Sequence, residues 1–167
     1  VAVASGGKII TSSDGLTWTE RTSGITTDLR AVTYAGGSFV AVGFGGAILT
    51  SANGTTWNRA SSGVTANLYG VARVQGAFVA AGDNGTLLSS IDGNSWSVVA
   101  LNGTATGTLF IAASGSDALL TGRSGEVYTG TSATAWRRAS KGTNESLQGV
   151  TYGGGSFVAV GANSDPV

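Results

Sequence analysis

Three heptapeptides decide the fold: SSDGLTW at 12–18, SANGTTW at 51–57 and SIDGNSW at 90–96. Each ends on a tryptophan, and a fourth, GTSATAW at 130–136, ends on Trp136. The tryptophans Trp18, Trp57, Trp96 and Trp136 are 39, 39 and 40 residues apart. Asp14-Gly15, Asn53-Gly54 and Asp92-Gly93 lie between apolar stretches, and such pairs are strong short-range hairpin signals because both residues accept positive φ. Aligning on the tryptophans brings the rest of the chain into register. LRAVTY (29–34), LYGVAR (68–73), TLFIAA (108–113) and LQGVTY (147–152) fall together. So do FVAVG (39–43), FVAAG (78–82), ALLTG (118–122) and FVAVG (157–161), and the chain opens on VAVAS, the same unit without its Phe.

Each unit reads as four strands. Strand A carries the LxxV segment and strand B the FVAVG run, whose continuous apolar character suits burial on both faces. Strand C is AILTS (47–51) or TLLSS (86–90), and strand D carries the Trp. Four-stranded antiparallel units recurring near 40 residues predict an all-β chain of β-propeller blades. The 167 residues hold about four of them, in repeats near 1–38, 39–77, 78–117 and 118–156 with a partial one at 157–167. The 28 glycines fit many tight turns.

The pattern resembles the Asp-box, or BNR, repeat, Ser-x-Asp-x-Gly-x-Thr-Trp. The variant without a residue between Asp and Gly is similar to blades of photosystem II stability/assembly factor-like proteins. Ser12, Asp14, Gly15 and Trp18 match it. Ser51, Gly54 and Trp57 match with Asn53 in the Asp place, and Ser90, Asp92, Gly93 and Trp96 match with Ser95 for Thr. The fourth copy keeps Trp136, with Ser132 and Ala133 where Asp and Gly would stand. The resemblance implies that the boxes lie at the periphery, away from active sites. Chemistry agrees: an Asp or Asn there accepts turn N–H bonds and the Trp packs between sheets. These are structural residues, and no metal or cofactor is expected of them.

Composition narrows function. Lys plus Arg number 9 and Asp plus Glu 9, so there is no basic surplus to hold nucleic acid. Charged residues are 11% and hydrophobic ones 41%, which excludes a disordered chain. No apolar run reaches the roughly 20 residues of a membrane helix. There is no His and no Cys, so Ser–His and Cys–His catalysis and thiolate metal sites are excluded. Arg21, Arg59, Arg137 and Arg138 follow the tryptophans, where charge protects a sheet edge.

In an antiparallel meander the D-to-A and B-to-C loops share one face, and the Trp-preceding turns lie on the other. The B-to-C loops differ between copies: Ser5, Phe44, Asp83-Asn84, Arg123-Ser124 and Ala162-Asn163. Strand A opens on the same face with Arg30, Tyr69, Leu109 and Gln148. Variation within a regular repeat is where recognition is built, and drift at tolerant loops explains it too. The candidate ligand-binding set is Arg30, Phe44, Tyr69, Asp83, Asn84, Arg123 and Gln148.

The expected function is a non-catalytic binding or scaffolding propeller that recognises protein or glycan. A self-assembling, adhesin-like surface repeat protein is the first alternative, and a sialidase-like glycoside hydrolase fragment the second. A sialidase needs an arginine trio and a Tyr–Glu pair; Arg30, Arg73, Arg123, Tyr69 and Glu126 are present, but in none of that family's motifs. Carboxylates for other glycoside chemistry are Glu20, Asp28, Asp83, Asp117, Glu126 and Glu145. Sequons occur at Asn53, Asn84, Asn102 and Asn144, three of them Asn-Gly-Thr turns. Low charge and the absence of cysteine suit a bacterial extracellular, periplasmic or cell-surface protein. The strand sequence runs B, C, D, then A to D three times, then A, B. Three closures stay open: part of a longer propeller, a ring of four with a spare strand, or an assembly in which chains complete one another. The array reads as cut mid-repeat at both ends, which favours the first, and an isolated chain with open sheet edges is expected to self-associate.

Overall fold

The computed structural model describes residues 1–101, 105–139 and 143–162. Asn102 and Asn163 lie outside the described residues. Seventeen strands form five antiparallel sheets. The first holds β1 (Ala2–Val3), β2 (Ile9–Thr11) and β3 (Thr19–Arg21). The second is β4 (Leu29–Ala35), β5 (Ser38–Gly43), β6 (Ile48–Ser51) and β7 (Asn58–Ala60). The third is β8 (Leu68–Val74), β9 (Ala77–Gly82), β10 (Leu87–Ser90) and β11 (Ser97–Val98). The fourth is β12 (Leu109–Ala113), β13 (Ala118–Gly122), β14 (Val127–Gly130) and β15 (Trp136–Arg138). The fifth holds β16 (Ser146–Gly153) and β17 (Ser156–Ala162).

The A strands β4, β8, β12 and β16 pack in series, each against the next, and so line the inner side of the arc. The D strands form the opposite edge. Arg59, Arg137 and Arg138 are exposed on it, and Arg21 Nε donates to Thr11 Oγ1 at 2.9 Å.

Apolar residues on both faces of the B strands β5 and β9 hold the central sheets together. Along β5, Ala41 faces the first sheet with Ile9, Leu29, Leu49 and Trp57, while Val40 and Val42 face the third with Leu68, Phe78 and Leu88. A third core joins the third and fourth sheets through Val79, Leu87, Leu109, Leu120, Tyr128 and Trp136. Period-2 alternation in one apolar run thus supplies two interfaces at once.

The turn before each Trp is built by side-chain acceptors. Asp14 Oδ1 accepts from the N–H groups of Leu16 and Thr17, both at 2.8 Å, and Ser12 Oγ accepts from Gly15 N at 2.8 Å. Asn53 and Asp92 repeat the arrangement. The backbone and Ser12 bonds hold the Asp14 carboxyl down at about 2, Thr17 N–H being the largest cause, and Asp92 is lowered by the same contacts. Gly54 and Gly93 take φ of 73° and 79° at the turn. Each indole Nε1 then donates to the carbonyl three residues back: Gly15, Gly54, Gly93 and Ala133.

One expectation needs correction, and one of the three closures is not seen. All four tryptophans were to pack between sheets. Trp57 and Trp136 are buried and Trp96 is partly so, but Trp18 is 45% exposed, because among the described residues no sheet packs on that side of the first. A ring of four closed by strand 147–152 on the first sheet is not formed. That segment lies in β16, which pairs with β17 alone, while β1 fills the B place beside β2.

Candidate functional site

The D-to-A and B-to-C loops meet on one rim of the arc, and repeated backbone contacts weld them. Gly43 and Gly82 end their B strands in extended conformation, φ −167° and −160°. A Cβ on either would overlap the carbonyl of Asp28 or Asn67 at the mouth of strand A. Close approach, not turn conformation, requires the glycine of FVAVG. That approach lets Phe44 N and Asp83 N donate to the Asp28 and Asn67 carbonyls, both at 2.9 Å.

The same residues fasten neighbouring sheets. Gly6 N in the first sheet's turn donates to Asp28 Oδ1 at 2.9 Å, and Gly45 N in the second donates to Asn67 Oδ1 at 3.0 Å. In the third, Asp83 takes over: its Oδ1 accepts from Thr108 Oγ1 at 2.6 Å across to the fourth sheet. Its Oδ2 accepts from Asn67 Nδ2 at 3.0 Å and Tyr69 OH at 3.4 Å.

On this frame the variable side chains form a row. The Arg30 guanidinium stacks over Phe44, 4.3 Å from the ring centroid, and its Nη2 donates to Asp28 Oδ2 at 3.2 Å. Phe44 meets Tyr69 edge-on at 5.8 Å, and Tyr69 meets Phe110 at 6.0 Å. The row crosses three sheets, with Arg30 exposed and the three rings partly so. Sequence reasoning brought Arg30, Phe44, Tyr69 and Asp83 to this rim, and they do cluster. Asn84 (φ 53°), Arg123 and Gln148 lie exposed on the same rim without joining the row.

Leu109 was placed beside Arg30 and Tyr69, and this needs correction. Leu109 is fully buried and pairs with Gly122, as Leu29 pairs with Gly43 and Leu68 with Gly82. Phe110, missed from sequence, carries the ring instead. β4, β8 and β16 each skip a residue in the ladder, at Arg30, Tyr69 and Gln148, while β12 runs on without the bulge. The signal was available: Thr108 is polar like Asp28 and Asn67, so the leucine after each should have been aligned.

The arginines a sialidase would gather are apart in role. Arg30 sits on Phe44, Arg73 stacks on Phe78 at 4.9 Å, and Arg123 is in the fourth sheet's turn. Glu126 is buried and accepts from Ser124 N at 3.0 Å. Glu20 pairs with Lys8 at 3.5 Å, and Asp117 accepts from Ser116 Oγ. Among the described residues no group of three His, Cys, Asp or Glu is placed to hold a metal. A cleft of about 740 Å³ is lined by Gly7, Lys8, Glu20, Arg21, Ile25 and Arg59, in loops and D strands of the first two sheets, and one of about 780 Å³ lies at the Trp turns, lined by Gln75, Ser90, Asp92, Ser95 and Ala133.

No protein-family model matches the chain, and no curated protein matches it by sequence. Solved structures do match by fold. YCF48 bound to a D1 peptide superposes with a TM-score of 0.66 at 20% identity, over 90% of this chain and 52% of that one. YCF48 from Cyanidioschyzon merolae gives 0.69 at 16% identity, over 96% of this chain and 62% of that one. YjhT gives 0.61 at 12% identity, over 84% and 61%. The chain is an all-β array of propeller blades similar in fold to these proteins, and it spans between half and two thirds of their length.

Proposed function

We propose that this chain is the blade array of a non-catalytic propeller that binds an extended protein segment on the rim formed by Arg30, Phe44, Tyr69 and Phe110. One observation carries the reading: a partly exposed guanidinium–aromatic row, continuous over three sheets and braced from beneath by Asp28 and Asp83. Arg and Tyr held rigid in this way are the residue types that dominate recognition surfaces. That a fold neighbour is a complex with a peptide agrees with this choice. Aromatic faces also stack on sugars, so glycan is the competing ligand. The Ser-x-Asp/Asn-Gly turns are Asp-box turns on this reading, structural and remote from the rim. The scattered arginines and the tethered carboxylates favour binding over glycoside chemistry. An extracellular, periplasmic or cell-surface setting is part of the proposal.

The test is a screen of the chain on a peptide library and a glycan array, followed by Arg30→Ala and Tyr69→Ala against the best binder. Each substitution should weaken binding by about 2 kcal/mol, roughly 30-fold. Unchanged affinity in both, or no binder on either array, refutes the rim. A second reading is self-association, for which Trp18, Val158 and Val160 offer apolar side chains that are 45%, 53% and 62% exposed.

A further inference from the structure

The cleft between the first two sheets carries two guanidiniums with hydrogen-bonding capacity to spare. Side chains opposite one another on adjacent antiparallel strands leave the sheet on the same side. Ile9 and Leu49 meet in the core between the first and second sheets, and the residues opposite them on the D strands are Arg21 and Arg59. The two arginines therefore enter one gap from its two walls, and both line the cleft of about 740 Å³ that opens there. Arg59 is exposed and has no hydrogen-bond, ion-pair or ring partner among the described residues. Arg21 is partly buried and commits its Nε to Thr11 Oγ1, which leaves the two terminal amino groups of the guanidinium. The one carboxylate lining the cleft, Glu20, is held by Lys8 at 3.5 Å.

Protection of the sheet edge does not account for the pair. The third sheet's D strand, β11, is equally outermost and carries no charge. In the gap between the second and third sheets the equivalent residues, opposite Ile48 and Leu88, are Ala60 and Val98. In the gap between the third and fourth, Arg138 stands opposite Tyr128, but Val99, whose N–H bonds the Leu87 carbonyl, faces it from the other wall. Of these three gaps, the first alone receives a cation from both sides.

We infer that this cleft binds an acidic oligosaccharide, with a sulfate or uronate oxyanion clamped between Arg21 and Arg59. A guanidinium fork matches either oxyanion with two parallel N–H bonds. The rest of the wall is the D-to-A loop, in which Thr22, Thr26 and Thr27 are exposed and offer hydroxyls to sugar hydroxyls. The cleft has the volume of a small-ligand site. No aromatic ring lines it, so it lacks the anchors that dominate recognition of a protein partner. Arg30 and Tyr69 do not line it either, so this site is separate from the rim.

Isothermal titration calorimetry at low salt tests this with four probes: a heparin-derived oligosaccharide, an oligogalacturonate, a neutral malto-oligosaccharide of like length and an oligo-glutamate peptide of like charge. At least one acidic saccharide should bind, more weakly as salt rises, and the neutral sugar and the peptide should not. Arg21→Gln and Arg59→Gln should each weaken binding by about tenfold, the loss of one charged hydrogen bond. Arg137→Gln/Arg138→Gln removes two charges from the outer strand of the fourth sheet and should leave the affinity nearly unchanged. The proposal is overturned if neither acidic saccharide binds, or if the neutral sugar or the peptide binds as well. It is equally overturned if sodium sulfate alone binds as tightly as the saccharide, or if the Arg137→Gln/Arg138→Gln chain loses as much affinity as Arg59→Gln.

Discussion

Asp83 is the fastener between the third and fourth sheets, and its removal should cost more than its partial exposure suggests. Thr108 Oγ1 donates to it at 2.6 Å, in the range of charge-assisted O–H bonds, and Thr108 is 8% exposed. Hydrogen bonds to charged groups contribute about 1.5–3 kcal/mol, and a buried hydroxyl left without a partner costs about 1–3 kcal/mol. The Asn67 bond at 3.0 Å adds a smaller amount, and the Tyr69 bond at 3.4 Å little. Asp83→Ala should therefore destabilise by about 2–4 kcal/mol. Thr108→Val removes the short bond but leaves the carboxylate its other donors, so about 1–2 kcal/mol is expected. The double variant should fall short of the sum by about 1.5 kcal/mol, the coupling of a contacting pair. Urea denaturation of the four chains followed by tryptophan fluorescence measures this. Coupling within about 0.3 kcal/mol of zero would refute the fastener.

Two further predictions follow from the turns and the rim glycines. The Asp14 carboxyl is held at about 2 against an ordinary 3.8, and Asp92 is shifted the same way. Because the folded state depresses both, their contribution is present above pH 3.8 and is lost in acid below it, for Asp14 as pH falls through about 2. Acid unfolding should show that loss, and Asp14→Asn/Asp92→Asn should flatten it; both groups are solvated, so the effect is small. Gly82→Ala places a methyl on the Asn67 carbonyl and should cost about 1–3 kcal/mol by overpacking. It should also break the Asp83 N–H bond to that carbonyl, seen as faster amide exchange at Asp83 than in Gly15→Ala, where the methyl meets open space.

The fold was legible because its determinants are local and repeated. The Asp-Gly turns and the two-faced FVAVG run are each read within one repeat, and the Trp spacing shows how often the unit recurs. Site geometry was less legible because it depends on register. Arg30 and Tyr69 were found as variable positions, but the contact that joins them, Arg30 over Phe44 and Phe44 against Tyr69, runs between sheets. Phe110 was missed because β12 lacks a bulge that its neighbours have, and a constant spacing hides such a deletion. Asp28 and Asn67 are visible in the sequence as polar residues before each leucine, but their role, to accept a neighbouring sheet's N–H, is not.

The fourth Trp turn explains why the repeated motif and the candidate rim separate. Ser132 stands where Asp is expected, yet its Oγ accepts from Thr134 N at 3.4 Å and Ala135 N at 3.0 Å, the two bonds Asp14 accepts from Leu16 and Thr17. What the fold requires there is an acceptor and an anchored indole, and Asp, Asn and Ser all satisfy it. At the rim the constraint is weaker still. Arg30, Tyr69 and Gln148 are each the residue skipped in the A–B ladder, with no Cα partner opposite. A bulge re-aims its side chain away from the ladder, so residue type there is free of strand pairing. Three repeats use that freedom for a guanidinium, a phenol and an amide on one rim. Chemistry therefore varies where the ladder is broken, while the Trp turns at the far end of each sheet keep one hydrogen-bond pattern, a side-chain acceptor and an indole N–H on the carbonyl three residues back.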